Sequence, residues 1–138
     1  MNARVVVDAS ALVAVLLDSG PDGEWATEAL HGAKIAAPSV LSFETANIIR
    51  RHQLSGLIGA DQAQQAHADL CDLAIESWPY QLLAARSFEL RLNLSIYDAT
   101  YVALAELIEA ALLTLDQRIA AAPNLRCRVC TPPARPAR

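Results

Sequence analysis

Four acidic residues stand at the ends of predicted strands or on predicted helices: Asp8, Glu44, Asp98 and Asp116. Asp8 and Asp116 each follow or end a short aliphatic run, at residues 5–7 and 111–115, and such runs are typical of strands buried on both faces. The carboxyl ends of parallel strands share one edge of a sheet, so we expect these two side chains to face a common crevice. Clustered carboxylates at such an edge are suited to holding a divalent cation.

Glu44 is expected on the apolar face of a helix, because Val40, Leu41 and Ile48 recur around it at helical spacing. A buried glutamate is costly unless something pairs with it, and neither residue four positions away is basic. Carboxylates without nearby cations repel one another unless a metal ion lies among them. Oxygen ligands favour Mg²⁺ or Mn²⁺, and the chemistry that needs only carboxylates and such an ion is phosphodiester hydrolysis by an activated water.

Each aspartate also has a purely structural interpretation. Asp98 completes a Ser-x-x-Asp capping box with Ser95, and Asp116 can cap the helix predicted after it. Asp8 can accept hydrogen bonds from the turn that it begins. Taken alone, each aspartate is more typical of a helix cap than of a site, and the metal-site hypothesis depends on all four acids occurring together.

The composition indicates one domain made of helices packed on a small sheet. The chain has 138 residues, of which 54% are hydrophobic and only 5% are aromatic. Strands predicted to alternate with helices favour an α/β fold, with a central parallel sheet of four to five short strands and helices on both faces. The strands are predicted at 5–7, 35–37, 75–78, 111–115 and, at one edge, 127–130. The helices are predicted at 11–17, 25–30, 40–54, 60–73, 82–92, 95–108 and 117–122, with turns at 19–23 and 55–59.

The net charge of −4 is unevenly distributed. Residues 126–138 hold four arginines and no acid, so residues 1–125 carry −8. An acidic body argues against binding nucleic acid through bulk charge alone, but it suits divalent cations or a basic protein partner. We expect a domain over residues 1–130 and a flexible tail rich in proline and arginine over residues 131–138.

The sequence also indicates the cellular location of the protein. No apolar run approaches the roughly 20 residues needed to span a bilayer, and the N-terminus lacks the pattern of a signal peptide. The three cysteines, Cys71, Cys127 and Cys130, are too few for a disulfide framework, and the spacing of Cys127 and Cys130 is a weak metal or redox signal. We therefore expect a reduced, cytoplasmic protein with no membrane partner.

The order and spacing of the acidic motifs resemble those of the PIN domain, and more narrowly of the VapC toxins of bacterial toxin–antitoxin pairs. The motifs are Val-Val-Asp-Ala-Ser-Ala-Leu at 6–12, Pro-Ser-Val-Leu-Ser-Phe-Glu at 38–44, Tyr-Asp-Ala at 97–99 and Leu-Thr-Leu-Asp at 113–116. Each motif is weak alone, but all four occur in order over roughly residues 4–130. The resemblance implies a three-layer sandwich in which helices cover both faces of a parallel sheet.

The resemblance further implies a Mg²⁺- or Mn²⁺-dependent endoribonuclease that cuts structured RNA such as transfer RNA. It assigns metal binding and catalysis to Asp8, Glu44, Asp98 and Asp116, and it places supporting hydroxyls at Ser10 and Thr114. It also implies a homodimer, inhibited by an antitoxin whose C-terminal segment crosses the active-site groove and presents an arginine to the acids. Family members often carry a further acid near the fourth motif, but here Gln117 and Arg118 follow Asp116. This departure favours one metal ion rather than two at rest.

Three other classes of protein are alternatives to a nuclease. A phosphoacceptor receiver domain needs adjacent acids after the first strand and a lysine at a late strand end, whereas the single lysine, Lys34, precedes the second strand. A phosphatase with an Asp-x-Asp nucleophile is disfavoured because Ser10 replaces the second aspartate. A catalytically silent protein that binds RNA or a partner remains open, although all four acids are intact.

Overall fold

A five-stranded, wholly parallel sheet forms the centre of the computed structural model, which describes residues 3–134. The strands are Arg4–Val7 (β1), Lys34–Pro38 (β2), Ile75–Trp78 (β3), Ala111–Leu113 (β4) and Val129–Cys130 (β5). Their order across the sheet is β3-β2-β1-β4-β5, and every neighbouring pair runs parallel. The predicted α/β class is confirmed.

Within residues 3–134, seven α-helices connect the strands and cover the two faces of the sheet. They are Ala9–Leu17 (α1), Pro21–Leu30 (α2), Val40–Leu54 (α3), Ala60–Asp72 (α4), Ala84–Glu89 (α5), Ile96–Leu107 (α6) and Gln117–Ala120 (α7). From β1 to β3 the chain moves in one direction across the sheet, and from β3 it returns past β1 to β4 and β5. Because such crossovers are right-handed, α1–α4 lie on one face and α5–α7 on the other. The three-layer sandwich is the result.

The core lies on both faces of the sheet, against α6 on one face and against α1, α3 and α4 on the other. Val6 and Val7 in β1 are completely buried, since helices cover both faces of this central strand. Three of the buried residues of α6 are alanines, which let this helix lie close to the strands, where it contacts β1, β2 and β4. Tyr101 and Leu104 are the large α6 side chains that fill the remaining space, and each is at most 1% exposed. Burying such a side chain stabilises the fold by about 2–3 kcal/mol.

The segment between β3 and α6 departs from the prediction of one helix over 82–92. The chain forms a 3₁₀ turn at Tyr80–Leu82 and then the short α5, after which it turns again. Leu83, Leu90 and Leu94 are all buried although their spacing would also fit one face of a single helix, so the leucine pattern does not reveal the break. The amide of Leu90 shares its hydrogen bond between two carbonyls, as is common where a helix ends.

Smaller differences concern where elements begin and end. α2 begins at Pro21, inside the predicted turn, because proline at the first helical position needs no hydrogen-bond acceptor for its nitrogen. α1 begins at Ala9 with Asp8 as its N-cap, two residues before the predicted start at Ala11. Ser39 is the N-cap residue of α3, but its hydroxyl makes no capping hydrogen bond. β4 and β5 are shorter than predicted, and β5 reaches only Val129–Cys130.

The predicted tail at 131–138 lies only partly within the described residues. Thr131 and Pro132 are half-buried, Pro133 and Ala134 are exposed, and residues 135–138 lie outside the description. The tail leaves the sheet beside β4, since the Thr114 amide donates to the carbonyl of Cys130 at 3.1 Å. No helix within residues 3–134 is long and apolar enough to cross a bilayer.

Candidate active site

The carboxyl ends of β1 and β4 lie next to each other at the point where the strand order reverses. β1 is followed in sequence by the strands on one side of it, and β4 begins the other side. Open α/β sheets have a crevice at such a point, because the connections on either side of it lead away to opposite faces. Val7 pairs with Leu113, and the Asp8 amide donates to the Leu113 carbonyl at 3.1 Å. The residues that follow these two strands are therefore neighbours.

Asp8 is a buried carboxylate held in one orientation, with 5% of its surface exposed. Its Oδ1 accepts hydrogen bonds from the Ser10 hydroxyl at 2.7 Å and from the Ala11 amide at 3.0 Å. Its Oδ2 accepts a hydrogen bond from the Thr114 hydroxyl. Burial raises the pKa of Asp8, the three donors lower it in part, and the charge of Asp98 raises it further.

Ser10 and Thr114 tie Asp8 to the segment that follows β4. The Ser10 hydroxyl accepts a hydrogen bond from the Leu115 amide at 3.0 Å, and the Thr114 hydroxyl accepts one from the Asp116 amide at 2.9 Å. The two hydroxyl oxygens are 3.4 Å apart. Each hydroxyl donates to Asp8 and accepts from the backbone, so the network fixes the relative positions of the first and fourth acidic motifs.

Glu44 lies in the first half of α3 and is half-exposed. Its Oε1 accepts a hydrogen bond from the hydroxyl of Tyr101, a buried residue of α6. Burial raises the pKa of Glu44, the bond from Tyr101 opposes this, and the charges of Asp98 and Asp8 raise the pKa further. The charges of two other predicted site residues therefore act on Glu44.

Asp98 lies in the first turn of α6, whose N-cap is Ser95. The Asp98 amide donates to the Ser95 hydroxyl at 3.1 Å, so one half of the predicted capping box is present. Burial raises the pKa of Asp98, and the charge of Asp116 adds to the increase. Asp98 therefore links Asp8 and Glu44 electrostatically to the fourth acid.

Asp116 differs from the other three acids because it has a basic partner. Its carboxylate caps α7 by accepting from the Arg118 amide at 2.9 Å, and it accepts from the Arg118 side chain at 3.2 Å and 2.8 Å. These hydrogen bonds hold the pKa of Asp116 below its ordinary value, although partial burial opposes them. Within residues 3–134, no ion pair involves Asp8, Glu44 or Asp98.

The donor set fits a hard divalent cation, but it is not a finished metal site. Every candidate ligand is a carboxylate or hydroxyl oxygen, as Mg²⁺ and Mn²⁺ prefer. The charge of Asp98 raises the pKa of both Asp8 and Glu44, and that of Asp116 raises the pKa of Asp98, although the charge of Arg118 partly opposes it. A cation relieves such repulsion between carboxylates. Among the described residues, no three acidic, histidine or cysteine side chains converge closely enough to hold an ion by themselves. Mg²⁺ commonly binds through one or two carboxylates and completes its coordination with water and substrate phosphate.

A cavity of about 750 Å³ lies elsewhere, between α5, the end of α6 and the segment before β5. None of the four acids lines it. Arg86 and Glu106, which do, pair with each other at 2.7 Å. Cys127 also lines this cavity, and burial raises the pKa of its thiol to about 11. A thiol of such high pKa is poorly suited to metal or redox chemistry, so the cavity adds no support for a functional Cys-x-x-Cys motif.

Two residues near the acids were not assigned a role from the sequence. Tyr101 stands three positions after Asp98, and this helical spacing, together with the need of a buried hydroxyl for a partner, is the signal that could have identified it. Arg118 was noted only as a departure from the acidic pattern, although a basic residue two positions after a helix-capping aspartate can reach its carboxylate.

Comparison with known proteins agrees with this geometry. Residues 5–125 match the family model of the PIN domain. The chain therefore belongs to the PIN-domain family, and the predicted membership is confirmed. Its relatives include the VapC ribonuclease Mb0985 of Mycobacterium bovis, which is 35% identical over 129 residues covering 94% of this chain and 98% of the relative. Ribonuclease VapC1 of Mycobacterium tuberculosis is 38% identical over 125 residues, covering 90% and 94%.

A solved structure shows the same fold at lower sequence identity. A chain of a toxin–antitoxin complex from Klebsiella pneumoniae superposes with a TM-score of 0.66 and 22% identity, over 93% of this chain and 97% of that one. The agreement in fold extends over nearly the whole described chain. The roles of the individual acids stay predictions from the motifs and the site geometry.

Proposed function

We propose that this protein is a metal-dependent endoribonuclease and the toxin of a toxin–antitoxin pair. The observation that carries the proposal is the set of three carboxylates at the switch point of the sheet, Asp8, Glu44 and Asp98, in which the charge of Asp98 raises the pKa of the other two and none forms an ion pair among the described residues. Relatives over 90% or more of the chain are named ribonucleases, which supports the choice of substrate class.

The side chains divide the work of this site between them. Asp8, Glu44, Asp98 and Asp116 are the residues that would hold Mg²⁺, or Mn²⁺ in its place. When bound, such an ion supplies Lewis acidity that polarises the phosphate and lowers the pKa of a water. Ser10 and Thr114 keep the Asp8 carboxylate in one orientation by donating to both of its oxygens. The acids also require a bound cation before RNA can approach them, because without a cation they repel the phosphates of RNA.

The proposed substrate is structured RNA such as transfer RNA, and the proposed partner is an antitoxin. Clustered carboxylates suit a partner segment that presents an arginine, since a guanidinium pairs with carboxylates in two-point contacts. The toxin–antitoxin complex with the same fold supports a partner of this kind. A homodimer, which derives from the family resemblance, and a cytoplasmic location, which derives from the small number of cysteines, complete the proposal.

Cleavage of total bacterial RNA by the purified protein tests the proposal, with Mg²⁺ or with EDTA. Asp8→Asn should lower cleavage more than about 100-fold, since even residues behind metal ligands change activity 10- to 100-fold. Asp61→Asn is the matched control, because Asp61 is exposed in the first turn of α4. Discrete fragments that require both the metal and Asp8 are the expected result. Undiminished cleavage in EDTA or by Asp8→Asn would contradict the metal mechanism.

A protein that binds RNA or a partner without cutting is the second candidate. It is favoured by the absence, within residues 3–134, of three side chains that already form a cation site. This candidate predicts that the wild type retains labelled RNA in a filter-binding assay with Mg²⁺ and produces no fragments. The nuclease proposal predicts binding followed by cleavage, so the same samples separate the two.

A further inference from the structure

Tyr101 is a fully buried tyrosine whose hydroxyl points to the acidic site and not to the interior. Only 1% of its surface is exposed, and it lies on α6 three residues after Asp98. Its hydroxyl donates a hydrogen bond to Oε1 of Glu44. The aromatic ring therefore belongs to the core, while its polar end contacts a predicted metal ligand.

This hydrogen bond connects two layers of the fold. Glu44 is on α3, and Tyr101 is on α6, which covers the opposite face of the sheet. The side chains meet at the sheet edge where β1 ends. The hydrogen bond between Tyr101 and Glu44 therefore holds the Glu44 side chain toward α6, the helix that carries Asp98.

The hydroxyl of Tyr101 is also suited to remain a donor. It is the donor of this contact, because an ionised carboxylate oxygen can only accept a hydrogen bond. Since it occupies Oε1 of Glu44, the other carboxylate oxygen remains available to a ligand.

We propose that Tyr101 is a positioning residue, whose hydroxyl holds the Glu44 carboxylate at the sheet edge so that Glu44 can act as a cation ligand. A free glutamate side chain loses rotamer entropy when it is fixed. Tyr101 fixes Glu44 before the cation arrives, so this loss is already met in the folded protein. The inference rests on the proposed function, because it assumes that a divalent cation binds among the acids.

Tyr101→Phe tests this role because it removes the hydroxyl and keeps the buried ring. In calorimetric titration with Mn²⁺ alone, the dissociation constant should be about 10- to 100-fold larger, the range found when partners of metal ligands are removed. Tyr97→Phe is the matched control, because Tyr97 is on the same helix but 60% exposed, and its affinity should equal that of the wild type. Circular dichroism at the titration temperature checks that each variant is folded.

A double-mutant cycle with Glu44→Gln separates positioning from a general structural effect. If Tyr101 acts through Glu44, Tyr101→Phe should weaken Mn²⁺ binding in the wild type but change it less than about twofold in the Glu44→Gln background. An equal loss in both backgrounds, or no loss in either, overturns the proposal. If the wild type binds Mn²⁺ and Tyr101→Phe binds equally well, only the role of Tyr101 fails. If the wild type neither binds Mn²⁺ nor cleaves RNA, the proposed function fails as well.

A measurement on the wild type keeps the test valid if Tyr101→Phe does not fold. The chain has three tyrosines, and selective ¹³C labelling of their ζ carbons gives one resonance for each. Titration with Mg²⁺ should move the Tyr101 resonance and leave that of Tyr80, which follows β3, unchanged. A Tyr101 resonance that does not respond while Mg²⁺ binds would count against the proposal.

Discussion

Replacement of Thr114 by valine isolates the hydroxyl network behind Asp8. Thr114 is completely buried, and valine has nearly the same shape but no hydroxyl. Thr114→Val leaves Oδ2 of Asp8 without its donor and leaves the Asp116 amide without its acceptor. A hydrogen bond to a charged group contributes about 1.5–3 kcal/mol and a neutral one about 1 kcal/mol. Together they predict a loss of about 3 kcal/mol in the free energy of unfolding.

Thr114→Ser provides the comparison, because serine keeps the hydroxyl and removes only a methyl group. The buried methyl group contributes about 1 kcal/mol, so serine should cost roughly a third of what valine costs. Urea denaturation of the metal-free proteins at neutral pH measures both losses. RNA cleavage should also fall more for valine than for serine, since only valine releases the Asp8 carboxylate.

The order of the two variants is the critical result. If serine destabilises as much as valine, the packing of the methyl group and not the hydroxyl network explains the role of Thr114. If valine leaves stability unchanged, the two hydrogen bonds contribute nothing and Asp8 is held by Ser10 and Ala11 alone. Either result would refute the argument that Thr114 fixes the first and fourth acidic motifs together.

Two further predictions concern charged groups around the site and away from it. Arg118→Gln should tighten Mn²⁺ binding about twofold to fivefold, because the exposed ion pair between Arg118 and Asp116 competes only weakly with the cation. Arg51→Gln on α3 is the control. Unchanged or weaker binding in calorimetry would show that Arg118 does not compete with the cation. Partial burial raises the pKa of Glu106, but hydrogen bonds from Arg86 and from the Arg126 amide outweigh it and hold the pKa below its ordinary 4.5. The stabilisation by Glu106 is therefore complete above pH 4.5 and is lost as the pH falls through the lowered value. The difference in stability between wild type and Glu106→Gln, measured in urea, should accordingly shrink below pH 4.5. A difference that grows there would contradict a lowered pKa of Glu106.

The sequence predicted the strand ends and their acids well because both depend on local patterns. Aliphatic runs identified β1 and β4, and the parallel sheet then brought Asp8 next to the segment after β4. The capping and metal-site interpretations were treated as alternatives, but Asp8 and Asp116 are helix caps as well as candidate ligands. A carboxylate can do both, because a cap occupies one lone pair of one oxygen.

Contacts between segments that are distant in the chain could not be predicted from the sequence. Tyr101 and Glu44 are 57 residues apart, and their hydrogen bond depends on how two helices meet around the sheet edge. The break at 83–94 has a similar origin, since Leu83, Leu90 and Leu94 are spaced for one face of a helix and all three are buried although the chain turns between them. Local spacing determines the faces of an element, whereas the tertiary packing determines which faces meet.

The acids of the candidate site and the ion pair of Glu106 respond to pH with opposite signs, and this difference bears on what the site is for. Burial and mutual repulsion raise the pKa values of Asp8, Glu44 and Asp98, so the folded protein holds their protons more tightly than the unfolded chain does. Stability from this cluster is therefore greatest at low pH and falls as the pH rises through the raised values. A group kept only for structure, such as Glu106, contributes in the opposite direction. The cluster thus lowers the stability of the metal-free protein at neutral pH, and a bound cation removes this cost. An arrangement that is unfavourable by itself and becomes favourable with a ligand is expected of a binding site rather than of a set of helix caps.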